Sequence, residues 1–233
     1  MQRMRVIGLL GGMSWESSAV YYRLVNEGVR ARLGGQHNAR SVLYTLDFSA
    51  IEALQHAGRW DEAGEVLADA AVRLERAGAD CVVLCTNTMH KLAHRIEAAV
   101  TVPLLHIVDA TAAALRARGF DRVGLLATAF TMEQEFYTGR LRDRFGIEAV
   151  VPAEADRRLV HRVIYDELCQ GVVRPESKAA YAAVMRDLER SGAQAIVLGC
   201  TEIMLLVGQA DTTLPLFDTT ALHAAAAIDF ALA

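Results

Sequence analysis

Residues 76–88 read RAGADCVVLCTNT and residues 190–202 read RSGAQAIVLGCTE. Both begin with an arginine, a small residue and Gly-Ala, which close a helical stretch, and both continue through an apolar, β-branched run that opens onto Cys-Thr. Working outward, RVIGLLGGMS at 5–14 has a counterpart in RVGLLATAFT at 122–131, and VPLL ahead of Asp109 has one in LPLF ahead of Asp218. Gly8 precedes Cys85 by 77 residues and Gly124 precedes Cys200 by 76. Three matches in the same order at similar offsets mark an internal duplication.

The duplicated pieces belong to an alternation of strands and helices. Strands are expected near 5–10, 41–46, 81–85, 104–107, 122–127, 148–151, 195–199 and 215–217, with helices between them. Cys81-Val82-Val83-Leu84 and Ala195-Ile196-Val197-Leu198 are apolar throughout rather than alternating, the pattern of parallel strands covered on both faces. The expected fold class is α/β: two similar doubly wound lobes with mostly parallel sheets, related by a pseudo-two-fold, with the active site in the cleft between them. Residues 1–102 with 212–233 make the first lobe and 103–211 the second, roughly 110 residues each. The helix from Thr220 packs back on the first lobe, Asp109 and Asp218 read as helix N-caps, and 33–38 reads as a surface loop.

Composition narrows the function. The 233 residues are 53% hydrophobic and 22% charged, with a net charge of −4, so nothing electrostatic points to nucleic acid. Four cysteines are too few for a disulfide-stapled secreted scaffold, which implies a reducing cytoplasm and free thiols. The apolar run from Val6 to Met13 enters Ser14-Trp15-Glu16 without a small-residue cleavage pattern and reads as a strand ending in a glycine turn. No stretch approaches the ~18 apolar residues of a membrane span. Lys91 and Lys178 are the only lysines, so a Schiff-base mechanism has two candidates, both in helical patterns that read as exposed.

The chemistry centres on Cys85 and Cys200. Each is expected at the carboxyl end of a strand, where doubly wound sheets bind ligands and a following helix N-terminus would lower a thiol pKa from ~8.5. Paired across a cleft they suit a reaction in which a proton leaves one face of a carbon and returns on the other, with thiolate as base and thiol as acid. One carbon ~3–3.5 Å from each sulfur requires the sulfurs roughly 6–7 Å apart. Cys81, whose repeat partner is Ala195, reads as core packing, and Cys169 as inert. A zinc set of Cys81, Cys85, His90 and His94 has too short a gap between its pairs, and HKLAH lacks the glutamate of HExxH. No metal is expected, and His90 and His94 read as a solvated or capping pair on one helix face. The turn Gly8-Leu9-Leu10-Gly11-Gly12-Met13-Ser14 is not GxGxxG. It reads either as a plain strand-to-helix turn or as close backbone approach to a small ligand. Thr86, Asn87, Thr88, Thr201 and Glu202 sit where they either cap helices or hold a substrate carboxylate. Tyr21, Tyr22, Phe136 and Tyr137 read as core or interface.

GLLGGMSWESS at 8–18, LCTNTMHK at 84–91, TMEQEFY at 131–137 and GCTEI at 199–203 together resemble the aspartate/glutamate racemase family, in its broad-specificity amino-acid branch, over essentially the whole chain. The resemblance implies a cofactor-independent two-base racemase of free amino acids, commonly a homodimer, with Cys85 and Cys200 as the catalytic pair. It implies that Met13, Ser14, Asn87 and Thr88 hold the α-carboxylate and amino group, and that Thr128 and Thr201 complete the pocket. Glutamate racemases usually follow GCT with histidine, whereas Glu202 stands here. Aspartate-dedicated members are expected to carry an arginine within 47–55, where this chain offers Gln55 and no arginine before Arg59. An uncharged amide suits several polar side chains. The alternatives are an aspartate-specific racemase, a hydantoin racemase or maleate isomerase type of enzyme, and a two-lobed small-molecule sensor.

Overall fold

Ile7 and Leu9 point to one face of the first strand and Leu10 to the other, and all are fully buried, so the helices must cover both sides. The computed structural model describes residues 3–233. Its first unit runs through β1 (Ile7–Gly11), α1 (Trp15–Leu33), β2 (Ser41–Thr45), α2 (Phe48–His56), α3 (Trp60–Arg76), β3 (Cys81–Leu84), α4 (Ala93–Ala99) and β4 (Leu104–Leu105). The strands form a parallel sheet in the order β2-β1-β3-β4, with Leu10 beside Leu84 in register. Ile7, Leu9, Cys81 and Val83 pack against Tyr21, Val25 and Val29 of α1. Leu10, Val82 and Leu84 pack against Ile51 of α2, Leu67 and Leu74 of α3 and Ile96 of α4. Each such aliphatic side chain contributes about 1.5–3 kcal/mol relative to exposure.

The second unit follows α5 (Ile107–Ala117) with β5 (Arg122–Ala127), α6 (Ala129–Glu133), α7 (Glu135–Phe145), β6 (Glu148–Val150), α8 (Glu154–Asp166), α9 (Pro175–Arg190), β7 (Ile196–Gly199), α10 (Ile203–Leu206) and β8 (Leu216–Asp218). Its parallel sheet has the order β6-β5-β7-β8, the same topology as the first. The Tyr181 hydroxyl of α9 donates to the Val160 carbonyl of α8, and Leu188 of α9 lies against the Cβ-less face of Gly124. The last helix, α11 (Thr219–Leu232), starts in the second unit. From His223 it belongs to the first, where Ala224, Ala227, Ile228 and Ala231 join the α1 face of the core.

All eight strands lie where the sequence places them. The units are 1–107 with 223–233, and 108–222, which moves the expected divisions at 102 and 211. Strand pairing is the reason: β4 pairs with β3 and β8 with β7, so each short strand stays with the sheet it edges. Asp218 accepts from the Thr220 and Ala221 N–H groups as an N-cap does. Asp109 is instead the third residue of α5 and holds Arg140 of α7 in a bidentate pair at 2.6 and 2.7 Å. Among the described residues, no helix is long and apolar enough to cross a membrane.

Candidate active site

In the first unit the chemistry-bearing residues gather at the carboxyl edge of the sheet. Cys85 directly follows β3 and its N–H still donates to the Leu10 carbonyl of β1, 2.9 Å away. The Ser17 hydroxyl of α1 donates to the Cys85 carbonyl at 3.3 Å, tying the turn after β1 to the turn after β3. Ser14 caps α1 by accepting from the Ser17 N–H, and its carbonyl accepts from the Ser18 hydroxyl, which in turn accepts from the Gly12 N–H. Gly12 has φ +87°, and a Cβ there would sit 2.1 Å from the Leu46 carbonyl. At Gly12 the missing Cβ therefore makes room for the protein's own backbone. Met13, Ser14, Asn87 and Thr88 are all buried, and so is Gln55, whose Nε2 lies 2.8 Å from the Met89 sulfur.

In the second unit Cys200 directly follows β7, next to β5, which ends just before Thr128. Its thiol donates to Glu202 Oε2 at 2.8 Å. The Thr201 and Thr220 hydroxyls are 3.0 Å apart, and Thr219 donates to the Leu198 carbonyl. Thr128 lies ahead of α6 with its hydroxyl 3.3 Å from that of Thr131, while the Ala129 N–H donates to His161 Nδ1. The duplication is not residue for residue here. By sheet register, Val82 and Ile196 are equivalent, so Cys85 corresponds to Gly199 and Cys200 stands one position farther along.

The thiols do not behave as a strand-to-helix junction suggests. Burial pushes the Cys85 thiol far above its ordinary range. The following helical segment, Thr88–Leu92, is only a five-residue 3-10 turn, too short for a helix dipole to offset desolvation. Cys200 is also held protonated, first by desolvation, then by the negative charge of Glu202 and the hydrogen bond it accepts. Cys81 packs on the same face as Cys85 and is pushed up to about 12 by burial. Lys91 is partly buried with Nζ 3.9 Å above the Trp60 ring, and Lys178 is exposed and pairs with Asp211 at 3.1 Å.

The Asp/Glu/Hydantoin racemase family model matches residues 10–227. The chain belongs to that family. A broad specificity amino-acid racemase from Bacillus subtilis (strain 168) is 24% identical over 98% of this chain and 99% of its own length. The structure solved for a Yersinia pestis candidate Asp/Glu racemase is 53% identical with a TM-score of 0.94, covering 99% of this chain and 100% of that one. An aspartate racemase homologue from Pyrococcus horikoshii OT3 is 31% identical with a TM-score of 0.86 over 99% and 100%. Three buried polar residues of the first unit make contacts that the sequence does not show. Ser17 is hidden among the helix-forming residues of α1. His90 is buried while His94 is exposed, because the 3-10 turn puts His90 out of step with α4. His223 falls in an alanine-rich helix with no motif around it, and only its isolation as a polar residue in an apolar run could have marked it.

Proposed function

We propose that this chain is an amino-acid racemase or epimerase that needs no pyridoxal phosphate or other cofactor and interconverts L- and D-amino acids by two-base proton transfer. Cys85 and Cys200 are its acid and base. The observation that carries the reading is that each thiol directly follows an inner strand of one of two identically ordered parallel sheets, at the edge where such sheets bind ligands. In each direction one thiolate takes the Cα proton and the opposite thiol supplies one to the other face of the resulting carbanion. A Cα proton is weakly acidic, so a base that burial makes stronger suits the task. The substrate's own ammonium group, arriving beside a dehydrated thiol, offsets the cost of forming the thiolate. Glu202 orients the Cys200 S–H.

Met13, Ser14, Thr86, Asn87 and Thr88 on one side, and Thr128 and Thr201 on the other, hold the carboxylate and ammonium. Gln55 offers the substrate side chain an amide without charge, which favours breadth over strict aspartate specificity. The enzyme acts in the cytoplasm as a homodimer, and the exposed Trp15, Tyr22 and Leu33 along α1 are the surface to test by sedimentation. The decisive assay scores deuterium wash-in from solvent at Cα, starting from each enantiomer of a panel of amino acids. Cys85→Ser and Cys200→Ser should each abolish racemisation. Full activity in either variant overturns the two-base scheme, and ligand-induced stabilisation without any exchange would make the chain a sensor.

A further inference from the structure

Four hydrogen bonds below the Cys85 turn fix the protonation of two buried histidines. His90 Nδ1 lies 2.7 Å from the Thr86 carbonyl, and His90 Nε2 lies 3.2 Å from the Ile107 backbone nitrogen. A carbonyl only accepts and a backbone N–H only donates, so His90 carries its proton on Nδ1 and presents a bare Nε2. His223 is the mirror case. Its Nε2 is 2.6 Å from the Leu105 carbonyl and must donate, leaving Nδ1 to accept from the Tyr21 hydroxyl at 2.9 Å. The two rings, with centroids 5.7 Å apart, thus grip the same three-residue exit of β4, Leu105 to Ile107, while the tilted His106 ring lies 4.5 Å from His90.

We propose that His90, as the neutral Nδ1–H tautomer, is the positioning residue for Cys85, with His223 and Tyr21 holding the segment it leans on. This inference rests on the two-base reading. His90 contacts the turn twice, because its own N–H also donates to the Asn87 carbonyl at 3.1 Å. The Thr86 N–H donates to the Leu84 carbonyl, so every peptide from 84 to 87 is held. A planar peptide turns as one unit, so a bond to its carbonyl fixes both of the residues it joins. By holding the Thr86 carbonyl, the His90 ring sets the orientation of the peptide that follows and with it the Cys85 Cα–Cβ direction at the start of the same turn. A protonated His90 would set two donors against each other at Ile107.

The test uses the whole protein and two variants that each keep half of the ring's chemistry. In His90→Asn the amide nitrogen takes the place of Nδ1 and retains the bond to Thr86. In His90→Gln the side chain reaches the Ile107 N–H and loses Thr86. Both should fold with the wild-type circular dichroism. The glutamine variant should lose about 10–100-fold in kcat/KM, the range of one buried hydrogen bond, and the asparagine variant less than tenfold. With Cα-deuterated substrates, the glutamine variant should raise the primary isotope effect in the direction in which Cys85 abstracts the proton and lower it in the other. Equal losses in the two variants, or a fall in rate with both isotope effects unchanged, would reduce His90 to a structural residue and overturn the inference. Imidazole nitrogen NMR of the wild-type protein at pH 7 provides a readout independent of activity. It should show Nδ1–H at His90 and Nε2–H at His223, and any other state at His90 also overturns it. Failure of the two-base reading shows separately, as activity surviving Cys85→Ser.

Discussion

Acidifying the protein from pH 7 to pH 4.5 should remove about 2.4 kcal/mol of stability through His223 alone. Its ring is fully buried between Tyr21, the Leu105 carbonyl and His90, and desolvation lowers its pKa from 6.5 to about 4. The unfolded chain takes up the proton near 6.5 and the folded protein only near 4, so between those values the unfolded state binds more protons and acid favours it. At 1.36 kcal/mol per unit and relative to pH 7, about 1.2 kcal/mol is gone by pH 5.5 and about 2.4 by pH 4.5. That is a sizeable part of the 5–15 kcal/mol typical of a folded protein. The assay is urea unfolding of the wild type and His223→Gln at half-unit steps from pH 7 to 4.5. Glutamine offers a donor to Leu105 and an acceptor to Tyr21 and gains no proton. Other acid-sensitive groups cancel in the difference between the two proteins, which should shrink with acid by the amounts given. A difference independent of pH, or one that grows as pH falls, would refute the reasoning.

Glu202→Gln removes the carboxylate whose charge and hydrogen bond help hold the Cys200 proton, so the thiol pKa should fall. Iodoacetamide labelling of Cys200 should speed up at a fixed pH near 8, and an unchanged rate would count against the electrostatic coupling. Gly12→Ala places a methyl 2.1 Å from the Leu46 carbonyl on a backbone with φ +87°, which should cost about 3 kcal/mol or more in chemical denaturation. Leu67→Ala, in the fully buried face of α3, should cost about 2–5 kcal/mol by the same measurement without altering the labelling rates of Cys85 or Cys200.

The sheets were legible because a strand buried on both faces is written as a short apolar run, and Val82-Val83-Leu84 and Ile196-Val197-Leu198 are such runs. A cysteine follows each run, directly at Cys85 and after Gly199 at Cys200. What the sequence withheld depends on contacts between distant elements. Asp109 reads as a cap until Arg140, 31 residues later, is brought beside it on α7. His90 and His94 read as one helix face because a spacing of four implies 3.6 residues per turn, and a 3-10 turn does not keep that period. The thiol pKa values go the other way from the sequence expectation because the spacing shows a junction with a helix but not how little water reaches the sulfur. The histidine pair draws on α1, the turn after β3, the exit of β4 and α11, and no local pattern joins those four.

The passage of α11 from one unit to the other also sets an order of assembly. Residues 108–222 form a continuous unit that can complete its core as soon as it leaves the ribosome. Residues 1–107 cannot, since the face of β1 and β3 against α1 lacks Ala224, Ala227 and Ile228 until everything in between has been made. The contact between Tyr21 and His223 closes a loop of 202 residues, and the chain entropy it costs must be met late. The half of the molecule synthesised first is therefore the half that finishes folding last, and it emerges with one side of a hydrophobic sheet waiting for its cover.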